Sequence, residues 1–174
     1  ATPASLELIE PSLALAERLY LPQDWLVRVV QMIRRRKQII FYGPPGTGKT
    51  FVAQELAEYL TDTGNVQVVQ FHPSYAYEDF IQGFRPELSE GGQPVFTLRQ
   101  GPLMKIAEKA RDDSTTPYFL IIDEINRANL AKVFGELYFL LEYRKRRINT
   151  LYSEGGNDQF SLPDNLFIIG TMNT

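Results

Sequence analysis

The sequence predicts an α/β fold, a parallel sheet flanked by helices, and three observations carry the prediction. Short apolar runs alternate along the chain with segments whose apolar residues recur at helical spacing. The first run ends in a glycine-rich loop that leads into such a segment, and a later run ends in two acidic residues. Strands alternating with helices imply parallel pairing.

Near the start, Leu6, Ile9, Leu13, Leu15 and Leu19, interrupted by Pro11, are expected to pack on the core or on a neighbouring subunit. Leu26, Val29, Val30 and Ile33 then keep helical spacing behind Asp24, read as the N-cap, with Arg34 to Lys37 near the negative end of the dipole. Gln38 to Tyr42 is almost continuously apolar, as expected of a buried central strand. From Lys49, one stripe of Val52, Ala53, Leu56, Ala57 and Leu60 predicts a helix ending near Thr63-Gly64. Val66 to Phe71 reads as a strand, Pro102 to Ala110 as a helix and Tyr118 to Ile122 as a strand. One helix is expected from about Asn129 to Glu142, then a strand from Leu166 to Ile169. Gly83 to Gln100, and Ile148 to Leu162 with Gly155-Gly156 at its centre, break the rhythm and are expected as insertions at the rim of the sheet, the second a hairpin.

A length of 174 residues, 44% of them hydrophobic, suits one domain with a buried core. The lack of cysteine excludes a disulfide framework and a thiolate metal site, and the sole histidine, His72, leaves no imidazole cluster. No charged start precedes an apolar run and no stretch has bilayer length, so a cytoplasmic protein without membrane contact is the default expectation. A net charge of −3 argues against a domain-wide attraction to nucleic acid.

Gly43-Pro44-Pro45-Gly46-Thr47-Gly48-Lys49-Thr50 fits the pattern of glycine, four residues, glycine, lysine, then serine or threonine, between a predicted strand and a predicted helix. Glycines let successive N–H groups point inward at phosphate oxygens, and the field of the helix start adds to them. Lys49 is expected to reach the β and γ phosphates and Thr50 to ligate Mg²⁺, with Phe51 completing the nucleotide contacts. Tyr118 to Ile122 leads into Asp123-Glu124, and carboxyl ends of parallel strands gather at the ligand crevice. Asp123 is therefore expected in the Mg²⁺ shell opposite Thr50, and Glu124 as the acid that orients and polarises the attacking water. Together these residues predict a P-loop nucleoside triphosphatase.

The string Asp123-Glu124-Ile125-Asn126-Arg127-Ala128-Asn129-Leu130, with Phe134-Gly135-Glu136-Leu137, Leu151 to Glu154 and Ile168 to Thr174, resembles the McrB family. These are AAA+ motor subunits of modification-dependent restriction systems. Phe71 to Tyr75 and Tyr77 to Phe80 fit the same pattern, so the likeness runs from about Ile39 to Thr174. The resemblance implies that residues 1–37 are the N-terminal helices of an AAA+ module and 38–174 its nucleotide-binding core. It further implies a homo-oligomeric ring, a hexamer in the full-length protein, a preference for GTP over ATP, and Asn173 as the polar sensor between γ-phosphate and water. An McrC-like endonuclease subunit as partner, and DNA contact through a domain outside this chain, belong to the same implication. Gly83 to Gln100 would be an insert within the second helix, and Ile148 to Leu162 the hairpin before the sensor strand. The family pattern continues past Thr174 with a fifth strand, an arginine finger and a helical lid, so this chain is expected to be a trimmed motor that binds nucleotide weakly and hydrolyses it slowly.

Arg144 to Arg147 fits a solvated charge run at a helix end, or a contact to a neighbour's nucleotide or to DNA phosphates; the first is commoner. Arg127 could cross a subunit interface. His72 reads as a hydrogen-bonded loop residue sooner than a relay, and Tyr75, Tyr77 and Phe80 as packing aromatics sooner than a grip on nucleic acid. No guanine-reading Asn-Lys-x-Asp pattern is present, so GTP rests on resemblance alone and ATP stays open. Beside the DNA-translocating motor stand an ATP-driven MoxR-like remodelling chaperone and a nucleotide-gated assembly module.

Overall fold

The computed structural model describes residues 6–153 and 159–174. Four parallel strands form the main sheet: β1 (Gln38–Gly43), β2 (Val66–Gln70), β5 (Tyr118–Asp123) and β8 (Leu166–Asn173), in the order β1-β8-β5-β2. Side chains alternate along each strand, and the two central strands bury both sets. Phe119, Ile121, Phe167 and Ile169 face α1 (Leu13–Leu19), α2 (Gln23–Arg36) and α3 (Lys49–Leu60). Leu120, Ile122, Leu166 and Ile168 face α4 (Tyr77–Phe80), α5 (Pro102–Asp112), α6 (Leu130–Phe134) and α7 (Tyr138–Glu142). Full burial of each such side chain contributes about 1.5–3 kcal/mol, so these two strands anchor the fold.

Four expectations need correcting. Strand β1 pairs only with β8 among the described residues and lies at the edge, with Ile40 49% and Tyr42 72% exposed. An apolar run reads alike at an edge and in a centre, because strand order is set by crossovers that local composition does not encode. The helix predicted over Asn129 to Glu142 is two helices joined by a 3₁₀ turn at Gly135–Leu137. Gly135 takes φ +52°, and a Cβ there would stand 3.0 Å from the Tyr77 ring, so the chain turns where only glycine fits. Helix α2 starts after Pro22, and Asp24 lies in its first turn, bonded to Arg28 at 2.7 Å, instead of capping it. At the start of the chain Leu15 and Leu19 join the core and Leu6 packs against it as expected, whereas Ile9 and Leu13 are exposed and Leu8, outside the expected set, is buried.

The first interruption is an antiparallel hairpin, β3 (Gln82–Leu88) with β4 (Pro94–Gln100). In the second, β6 (Ile148–Asn149) pairs with β7 (Gln159–Phe160); the expected Gly155-Gly156 turn lies outside the described residues. The hairpin roots are tied together, since buried Gln82 donates to the Thr150 hydroxyl at 2.8 Å and the Tyr152 hydroxyl to Glu78 at 2.8 Å. The Tyr77 hydroxyl donates to Glu136 at 2.7 Å, and burial followed by that carboxylate raises the phenol's pKa well above its ordinary value.

At the amino end of the sheet, polar side chains are committed to backbone. Buried Asn165 turns its Nδ2 to the carbonyls of Ala110, Asp113 and Thr116 at 2.7 to 2.9 Å. Arg144 donates to the Leu166 carbonyl at 2.8 Å and to Gln38 Oε1 at 3.0 Å, while Gln38 donates to the Leu141 carbonyl. Desolvation lowers the Arg144 pKa to about 10. The solvated charge run therefore holds for Lys145, Arg146 and Arg147, which are exposed, but not for Arg144.

Candidate nucleotide site

Parallel pairing brings the carboxyl ends of the strands together: Gly43 is in register with Asn173, and Gln70 with Asp123. Between β1 and α3 the loop Gly43 to Thr50 turns through Gly46 and Gly48, each at φ +77°, a conformation costly for any residue with a side chain. Pro44, Pro45 and Thr47 form its exposed rim, where the Thr47 hydroxyl donates to the Pro44 carbonyl at 2.9 Å. Lys49 folds back over the loop and donates to the carbonyls of Gly43 at 3.0 Å and Pro44 at 2.7 Å and to Thr47 Oγ1 at 3.3 Å. A phosphate entering the loop offers this ammonium a charge-assisted partner in place of neutral oxygens.

Thr50, at the start of α3, donates to Asp123 Oδ1 at 2.5 Å, and the buried Thr171 hydroxyl donates to the same oxygen at 2.5 Å. Thr171 Oγ1 also accepts the Glu124 N–H at 3.2 Å, so one hydroxyl on β8 fixes both acids. Glu124 Oε2 accepts from Arg127 at 2.7 Å and from Gln70 at 3.4 Å, while Asn173 Nδ2 lies 3.5 Å from Oε1. Lys49, Thr50, Asp123, Glu124, Thr171 and Asn173, with Phe51 at one side, line a cleft of about 260 Å³ at the head of α3, and Gln70 and Arg127 reach Glu124 from outside that lining.

The cleft brings together Gly46, Gly48, Lys49, Thr50, Phe51, Asp123, Glu124 and Asn173. Its oxygen donors fit Mg²⁺, which binds through one or two protein oxygens plus phosphates and waters, and no group of three or more metal-binding side chains exists among the described residues. The Thr50 hydroxyl and the Asp123 carboxylate, already side by side, are the residues that would hold such an ion, which would supply positive charge to the phosphates. Such a set can bind a polyphosphate and align a water against its terminal phosphorus.

Residues 38–174 match the family model of the AAA domain, dynein-related subfamily. The chain belongs to that AAA family. It is 44% identical over 163 residues to the Type IV methyl-directed restriction enzyme EcoKMcrB subunit of Escherichia coli K12, covering 90% of this chain and 34% of that protein. It is 32% identical to the Type II restriction enzyme BsuMI component YdiS of Bacillus subtilis 168, covering 83% of this chain and 52% of that one. The chain thus spans about a third and about half of these curated relatives. A solved candidate ATPase from Cytophaga hutchinsonii superposes with a TM-score of 0.55 at 19% identity, over 92% of this chain and 42% of that one, which supports the AAA fold alone.

Two residues have no role in the sequence-based expectations: Thr171 in the cleft lining, and Gln70, which meets Glu124 from beside it. Thr171 lies beyond Ile169, where the strand was expected to stop; a polar residue buried in an apolar strand is the signal that marks it. Gln70 has no signal in one dimension, since its place follows from register with Asp123. Arg127, considered for an interface, is paired within its own chain. His72 is exposed and meets the Tyr75 ring edge-on, and Tyr75 and Phe80 pack on Phe71 as helix-sheet aromatics. Among the described residues no helix is long and apolar enough to cross a membrane.

Proposed function

We propose that this chain is the Mg²⁺-dependent nucleotide-hydrolysing core of a ring-forming motor that prefers GTP and drives DNA translocation for a partner endonuclease of the McrC type. The observation that carries hydrolysis is the convergence of Thr50, Asp123, Glu124 and Asn173 on one cleft at the head of α3. In this reading Gly43 to Phe51 hold the nucleotide, Lys49 bridges its β and γ phosphates, and Thr50 and Asp123 hold Mg²⁺, which offsets phosphate charge. Glu124 accepts a hydrogen bond from the attacking water, and the Asn173 amide fixes that water's angle to the phosphorus. The restriction-system assignment is supported by likeness to the EcoKMcrB and BsuMI subunits.

Calorimetric titration with GTP and with ATP, each with Mg²⁺, tests base choice and site together. GTP is expected to bind more tightly, and Lys49→Ala to lose both nucleotides. A preference for ATP favours the remodelling-chaperone reading, and undiminished binding by Lys49→Ala removes the loop from the site.

A further inference from the structure

Two kinds of contact hold Glu124, and they differ in permanence. Its backbone is fixed in the left-handed region at φ 52°, ψ 46°, with its N–H on Thr171 and its carbonyl accepting the Arg127 N–H at 2.9 Å. Such a conformation persists in a non-glycine residue only when its surroundings over-determine it. Its carboxylate meets side chains alone, and the shortest of those contacts is Arg127 at 2.7 Å. Arg127 approaches from three residues on, with its side chain 54% exposed against 23% for Glu124. An ion pair so open to solvent exchanges readily, because water and salt screen it. While it lasts, the guanidinium and Gln70 share Oε2 and offset the charge that would orient a water.

We propose that Arg127 is a positioning residue that restrains Glu124 in the free protomer and slows hydrolysis there. The restraint rests on Glu124 being the water-orienting acid, as argued above. Release needs only a side-chain rotation, since the Glu124 backbone is anchored independently of the pair.

Steady-state turnover by the full chain at saturating Mg²⁺–GTP and Mg²⁺–ATP tests this. Arg127→Ala is expected to raise kcat about two- to fivefold, the range a surface ion pair can carry, with KM unchanged. Arg127→Lys, which keeps the charge, should recover most of the restraint, and Arg127→Ala should bring no gain in a Glu124→Gln background. An Arg127→Ala rate equal to or below that of the parent, undetectable turnover in both, or an equal gain without Glu124 overturns the inference. Retention of parental turnover by Glu124→Gln alone overturns the underlying assignment of the acid, a separate result.

Discussion

The two ends of the main sheet use polar side chains in opposite ways. At the amino end Asn165 and Arg144 are committed largely to backbone carbonyls, partners that cannot leave without unfolding the chain. At the carboxyl end Lys49 rests on an exposed loop, and Asp123 and Glu124 bond chiefly to hydroxyls, amides and a guanidinium that can rotate away. Replaceable partners are what a ligand needs; fixed ones are what a fold needs. Polar side chains thus stabilise structure at one end and keep exchangeable partners at the other.

Substitutions can break this contrast. The largest effect expected is on rate: Glu124→Gln should lower nucleotide turnover about 10²–10⁴-fold in a phosphate-release assay while leaving nucleotide affinity and the urea midpoint unchanged. A large loss of stability there would mean that the carboxyl end also serves the fold. Asn165→Ala should cost about 2 kcal/mol in urea unfolding, near one for each of the two amide hydrogens shared among the three carbonyls, with nucleotide affinity of the folded fraction intact. If affinity falls in step with stability, the two ends are coupled and the contrast fails. Thr171→Val sharpens the comparison, because it removes the hydroxyl shared by the two acids but keeps the shape. It should weaken Mg²⁺ affinity about tenfold, as loss of a group that orients a ligand does. An unchanged Mg²⁺ titration would make Thr171 a packing residue.

Legibility followed the range of the information. That the Gly43 to Thr50 loop and Asp123-Glu124 meet at one cleft was readable because each lies on a short contiguous string at the end of a predicted parallel strand. Helices α3 and α5 were readable because their stripes are regular and their burial agrees with them. The edge position of β1, the role of Thr171 and the partners of Arg144 depend on which strands lie side by side, and that order arises from packing over long separations. The break at Gly135 was visible as a glycine, but its cause, the Tyr77 ring against it, is more than fifty residues away in sequence.

The bonds between the two hairpin roots give the molecule a mechanical property. Gln82 lies at the foot of one hairpin and Thr150 next to the foot of the other, and the bond between them is buried and backed by that from Tyr152 to Glu78. A push on the β3–β4 hairpin is therefore shared at its root with the segment that carries β6, and slack between the two is removed there.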